Sequence, residues 1–116
     1  MKLPVVLTTD KSKENEVILA IDMSPELEAF RGHFPDNPIL PGVVQIDWAV
    51  RFAAIHLGIK EPPVHDFQVK FRNIICPGVP ISLTLKLDNL KKRLSFAYQS
   101  KDVLMSSGQL KLGTRT

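Results

Sequence analysis

The chain has 116 residues, 44 % of them hydrophobic and 23 % charged, with a formal net charge of +3. That length holds one domain around one core, so residues 1–116 are expected to fold as a single unit, and the composition is that of a soluble globular protein. No apolar run reaches the ~18 residues of a membrane span, and the charge is too low to argue for nucleic acid, although it suits a small acidic partner.

In chain order, residues 4–9 and 16–22 are rich in β-branched and aliphatic side chains and predict two strands, with polar residues 10–15 turning between them. Ser24-Pro25 has the form of an N-cap followed by a proline at the first helical position, which predicts a single helical turn over 26–29. Gly42–Leu57 is the one long helix, closed by Gly58. Its apolar residues surround it instead of forming a stripe, which predicts burial nearly all round. A curved sheet wrapped about the helix, with a second subunit covering the remainder, satisfies that demand. Beyond Pro62-Pro63 the pattern turns to strands over 64–75, 81–87, Arg93–Ser100 and Val103–Leu112. The stretch Ile-Ser-Leu-Thr-Leu-Lys-Leu alternates with a period of two. The expected class is α+β, an antiparallel sheet around one central helix.

The opening Met1-Lys2-Leu3-Pro4 lacks the apolar stretch of a signal peptide, and the lone Cys76 cannot form an internal disulfide. A reducing cytoplasm is expected, with Cys76 as a free core thiol.

Chemistry concentrates between Phe30 and Trp48. Pro35, Pro38 and Pro41 recur every third residue and stiffen a loop carrying His33. Pro41-Gly42 then opens the helix, and Asp47 lies within its first half. His33 titrates near neutral pH and can take a proton at little cost. Burial of Asp47 would keep its carboxyl protonated and able to donate, unless Arg51 at i,i+4 contacts it. The Gly42 N–H, at the helix start, is a natural donor to a carbonyl oxygen that gains charge. Base, acid and oxyanion donor are the parts of an elimination. Each also has a plainer reading: a hydrogen-bonded loop histidine, an Asp47–Arg51 ion pair, and a turn. His56 and His65 read as structural or surface residues, and Trp48 either packs in the core or shapes a site.

The segment Gly32-His33-Phe34-Pro35, then Pro38, then Pro41-Gly42-Val43, with an acid fourteen positions after the histidine, resembles the signature of the 3-hydroxyacyl-ACP dehydratases. Phe71-Arg72 with Pro77-Gly78 is similar to a later segment of that family, and Gln45-Ile46-Asp47-Trp48 looks most like its short aryl-polyene members. The resemblance implies a hotdog fold and dehydration of 3-hydroxyacyl thioesters carried on acyl carrier protein, in fatty acid or polyene synthesis, without metal or redox cofactor. It implies His33 as the base at C2, Asp47 as the acid at the C3 hydroxyl, and Gly42 as donor to the thioester carbonyl. Ile39, Val43, Trp48 and Phe34 would contact substrate, Ile39 through a carbonyl that orients the histidine ring. The site would form across a dimer, with His33 of one subunit facing Asp47 of the other. A thioesterase of the same fold, or a non-catalytic subunit of a heterodimer, are the rival readings. Departures from the pattern are Asp47 where many members carry glutamate, Asp36 where glycine is common, and the bulky Trp48 beside the acid.

Overall fold

A computed structural model describes residues 2–31, 38–61 and 63–113, with the side chains at 63–67 outside that description. Strands β1 (Val6–Lys13) and β2 (Glu16–Ile21) are followed by a 3-10 turn (Glu28–Phe30) and helix α1 (Gly42–Leu57). Strands β3 (Pro63–Phe71), β4 (Ile81–Asp88), β5 (Arg93–Ser100) and β6 (Val103–Leu112) complete the chain. They form one six-stranded sheet in the order β1-β2-β4-β5-β6-β3, every neighbouring pair antiparallel. One sheet holding one helix is the hotdog arrangement.

The period-two pattern explains the core. Val17, Leu19 and Ile21 of β2 are buried, and they pair with Leu85, Leu83 and Ile81 of β4, also buried. Leu83 and Leu85 pair in turn with Tyr98 and Phe96 of β5, which lie opposite Ser106 and Gly108 of β6. Cross-strand partners point to the same face, so the alternation lays rows of apolar side chains across the sheet. At Gly108 the row needs a missing side chain: a Cβ there would lie 2.7 Å from the Phe96 ring.

Helix α1 and its left-handed Gly58 C-cap fall where expected. Its burial does not. Val44, Gln45, Trp48, Ala49, Phe52 and Ala53 face the sheet, whereas Val43 and Ile55 are exposed. The helix therefore buries a stripe, because one sheet covers only one side of it. The limits of β1 and β3 also differ from expectation. β1 continues to Lys13 because its backbone pairs with β2 through Asp10↔Ile18 and Lys13↔Glu16, so pairing overrides its polar composition. β3 stops at Phe71, not at residue 75, because the Arg72 and Asn73 amides both turn to the Met105 carbonyl (2.9 and 3.0 Å). The helical turn forms at Glu28–Phe30, two residues later than expected, after the Ser24 hydroxyl and carbonyl accept the Glu26 and Leu27 amides. Cys76 is half-buried beside the fully buried Ile75, and not a core thiol.

The contrast between rows and surface is testable. Leu83→Ala, at a fully buried position, is expected to cost about 2–5 kcal/mol in urea unfolding. Leu90→Ala, at a turn residue 97 % exposed, is expected to change stability by less than ~0.5 kcal/mol.

Candidate active site

The amino end of α1 opens on a cavity of about 490 Å³. One wall is Ile39, Leu40, Pro41, Gly42, Val43, Gln45 and Ile46; the other is Phe71, the last residue of β3, with Arg72, Asn73 and Ile74 just past it. The helix starts here because Pro41, extended at φ −62° and ψ 147°, is its N-cap and accepts the Val44 and Gln45 amides, both at 3.1 Å. Among the described residues no side chain caps this end. The first amides of a helix lack partners within it, so those of Gly42 and Val43 are available beside the cavity.

Gly42 serves a second purpose. A Cβ at this position would sit 2.6 Å from the tip of the Phe71 ring, so the absent side chain lets that ring lie against the helix start. Phe71 is itself 52 % exposed. With Ile39, Val43 and Ile74 it makes the cavity predominantly apolar around a few backbone donors, the form of a small-molecule site.

Three of the residues expected at the site, Gly42, Ile39 and Val43, line this cavity. His33 and Phe34 lie outside the described residues. Asp47 lies one helical turn beyond Val43 on the same exposed face and does not line the cavity. Its side chain is 51 % exposed and its Oδ2 is 3.4 Å from Nη1 of Arg51. The expectation of a dry Asp47 therefore fails for the single chain: α1 turns this face to solvent, and the predicted i,i+4 contact is made. Trp48 is fully buried and packs against the core, away from the cavity. Its Nε1–H finds no acceptor among the described residues, an arrangement that typically costs ~1–3 kcal/mol.

Gln45 has no site role in the sequence reading beyond its place in the Gln45-Ile46-Asp47-Trp48 motif, yet it joins three hydrogen bonds here. Its side chain is buried, yet its Nε2 donates to the Leu40 carbonyl (3.1 Å) and its Oε1 accepts from the Ser106 hydroxyl (2.6 Å). Its main-chain carbonyl accepts from the Tyr98 hydroxyl (2.7 Å). The available signal was a polar residue on the apolar face of a helix, which must find partners if buried. Burial, and secondarily the negative charge of Asp47, raise the Tyr98 pKa well above its usual value. His56, at the far end of α1, tilts against Phe52, and its carbonyl accepts from Lys11, a structural role. Among the described residues no group of three His, Cys, Asp or Glu side chains converges as a metal site, and no helix is long and apolar enough to cross a membrane.

Two outcomes follow from this geometry. Gly42→Ala is expected to destabilise the fold by pushing on Phe71, and Phe71→Ala to relieve it, so the double variant is more stable than the two single costs added; a thermal-melt cycle measures this. Tyr98 stays protonated in the folded chain while an unfolded tyrosine ionises near pH ~10. Its stabilising contribution is fully present below that pH and is lost progressively as pH rises above it towards the raised value of the folded chain. The stability gap between wild type and Tyr98→Phe, read by urea unfolding, is expected to narrow above pH ~10.

Comparison with known proteins bears on the family of the chain. A family model described as ApeI-like, ApeI dehydratase, matches residues 9–109. The dehydratase heterocomplex ApeI:P from Xenorhabdus doucetiae contains a chain of similar structure, with a TM-score of 0.90, 33 % identity, and coverage of 98 % of this chain and 100 % of that one. An uncharacterised protein from Erwinia carotovora subsp. atroseptica matches with a TM-score of 0.79 and 34 % identity, over 97 % of both chains. The 3-hydroxyacyl-[acyl-carrier-protein] dehydratase FabZ of Oenococcus oeni is 36 % identical over 78 residues, 61 % of this chain and 56 % of that protein. The chain thus spans little more than half the length of that curated relative. With the family model covering most of its residues, the chain belongs to the ApeI-like dehydratase family.

Proposed function

We propose that the protein dehydrates 3-hydroxyacyl thioesters held on an acyl carrier protein, giving trans-2-enoyl thioesters and water. The observation that carries this reading is the apolar cavity whose floor is an uncapped helix start, Gly42 and Val43, placed within a loop-and-helix signature that also supplies His33 and Asp47. In the proposed reaction the thioester carbonyl accepts from the Gly42 N–H, which stabilises charge building on the oxygen as C2 loses its proton. His33 takes that proton. The electron pair left at C2 forms the C2=C3 bond, the C3–O bond breaks, and the hydroxyl leaves as water with the proton of the Asp47 carboxyl. The proton on His33 then returns to Asp47 through solvent, which restores both groups. No redox step occurs.

On one chain Asp47 is wet, ion-paired with Arg51, and one turn from the cavity. A shared site answers this. A second chain laid over the face of Val43, Asp47 and Ile55 would cover exposed apolar surface, take water from around Asp47, and bring its own loop to the acid. We therefore propose a dimer of this chain, or a heterodimer with a related one, as the working unit. The named heterocomplex of the similar Xenorhabdus protein supports the second form. Arg72, exposed at the cavity, and Lys70, exposed two residues before it in the chain, suit an acidic carrier protein. A single free thiol fits a cytoplasmic location.

The test is the absorbance of the conjugated enoyl thioester, run beside an assay for free thiol, which would report hydrolysis instead. His33→Ala and Asp47→Asn are each expected to lose ~10²–10⁴-fold in dehydration while keeping the fold. Mixing the two variants after unfolding and refolding together is expected to restore part of the activity, because mixed dimers regain one intact site. Thiol release without enoyl product would replace this reading with a thioesterase. Undiminished activity of both variants would remove the assigned base and acid.

A further inference from the structure

Three elements meet at Gln45, and two of them reach it by way of one irregularity in the sheet. Tyr98 pairs with Ser106, but its neighbour Gln99 pairs with Leu104, so Met105 is an extra residue in β6, a β-bulge. The bulge has consequences on both sides. Tyr98 and Ser106 become cross-strand partners whose hydroxyls both donate to Gln45, one to the main-chain carbonyl and one to the side-chain oxygen. The other face of the same irregularity holds the opposite wall of the cavity. The Met105 carbonyl accepts the amides of Arg72 and Asn73, and the Leu104 carbonyl accepts from Asn73 Nδ2 at 2.9 Å.

From Gln45 the chain of contacts continues to the helix start. Nε2 of Gln45 fixes the Leu40 carbonyl, while the Leu40 amide donates to the Ile75 carbonyl at 2.8 Å. The Leu40 peptide groups are thus pinned on both sides, immediately before Pro41 and Gly42. A buried amide satisfied at both ends has little freedom to shift, since losing either bond strands a polar group without water.

We propose that Gln45, held by Ser106 and Tyr98 across the β6 bulge, is a positioning residue that aims the Gly42 amide at the thioester carbonyl. It acts through the Leu40 carbonyl and the helix start, and touches no reacting atom. The inference rests on the dehydratase reading for its effect on rate, but its structural half stands apart from it. A misplacement of about an ångström in such a donor can cost on the order of a hundredfold in rate.

The experiment uses Gln45→Met, of similar volume without the amide, Ser106→Ala, and the double variant, in the full chain. Each single variant is expected to lower kcat by roughly tenfold or more with KM changed by less than about threefold, and the double to be no worse than Gln45→Met, because the two groups act as one unit. The amide resonance of Gly42, followed by ¹⁵N–¹H NMR, is expected to move and its hydrogen exchange to quicken in both singles. If Gln45→Met does not fold, Ser106→Ala alone carries the test. Multiplying rate losses in the double, or a Gly42 amide unmoved in both singles, would overturn the proposal. Should wild type dehydrate no 3-hydroxyacyl thioester, the dehydratase reading falls, and the Gly42 resonance still decides whether Gln45 positions the helix start.

Discussion

The cost of burying a polar group without a partner shapes the functional end of this molecule. α1 turns Gln45 into the core, and an amide there is tolerable only if both its ends are bonded. The sheet answers with the Ser106 hydroxyl on the amide oxygen and the approach segment with the Leu40 carbonyl on its nitrogen, while the Tyr98 hydroxyl donates to the Gln45 main-chain carbonyl. Apolar packing of Trp48, Ala49, Phe52 and Ala53 holds the rest of the helix to the sheet, but such packing is non-directional. Hydrogen bonds of 2.6–3.1 Å set the helix start to a particular height and rotation, and Gly42 and the cavity lie at that height.

The two faces of α1 divide the work. The inner stripe supplies stability. The outer face carries Val43, 76 % exposed, then Asp47 and Arg51, then Ile55, each about a turn apart. An ion pair this exposed contributes ~0–1 kcal/mol, so stability of the single chain gives little reason for an acid here. In the proposed dimer the same acid becomes a proton donor at a covered site, which gives the outer face its purpose. Phe71 and Ile74 extend the exposed apolar surface to the cavity mouth, where a thioester with an acyl tail would enter.

Much of the architecture was legible in the residues. Alternation in Ile81–Asp88 and the Gly42-to-Gly58 limits of α1 report directly on burial and capping, which are local. What was not legible depends on distant neighbours. β1 extends through polar residues because β2 lies beside it, and β3 ends early because a bulge more than thirty residues later in β6 draws away the next amides. The uniform apolar coat of α1 could not say which side a single sheet would cover. At the site, the loop-and-helix signature led to Gly42, Ile39 and Val43, which line the cavity. It led to Trp48 as well, which lies in the core, because an indole beside an acid reads the same in sequence whether it points in or along the wall. The bonding role of Gln45 was not legible, since Ser106 and Tyr98 are more than fifty residues away.

The central claim is that the helix start, held in place by buried hydrogen bonds, receives a thioester carbonyl within the apolar cavity. A crystal structure with a 3-hydroxyacyl pantetheine amide, which keeps the carbonyl but cannot be cleaved as a thioester, tests it directly. The account predicts the amide carbonyl within hydrogen-bond distance of the Gly42 nitrogen, the acyl tail between Val43 and Phe71, and C2 facing a histidine. A ligand bound elsewhere, or seated in the cavity with its carbonyl turned away from Gly42, would contradict it.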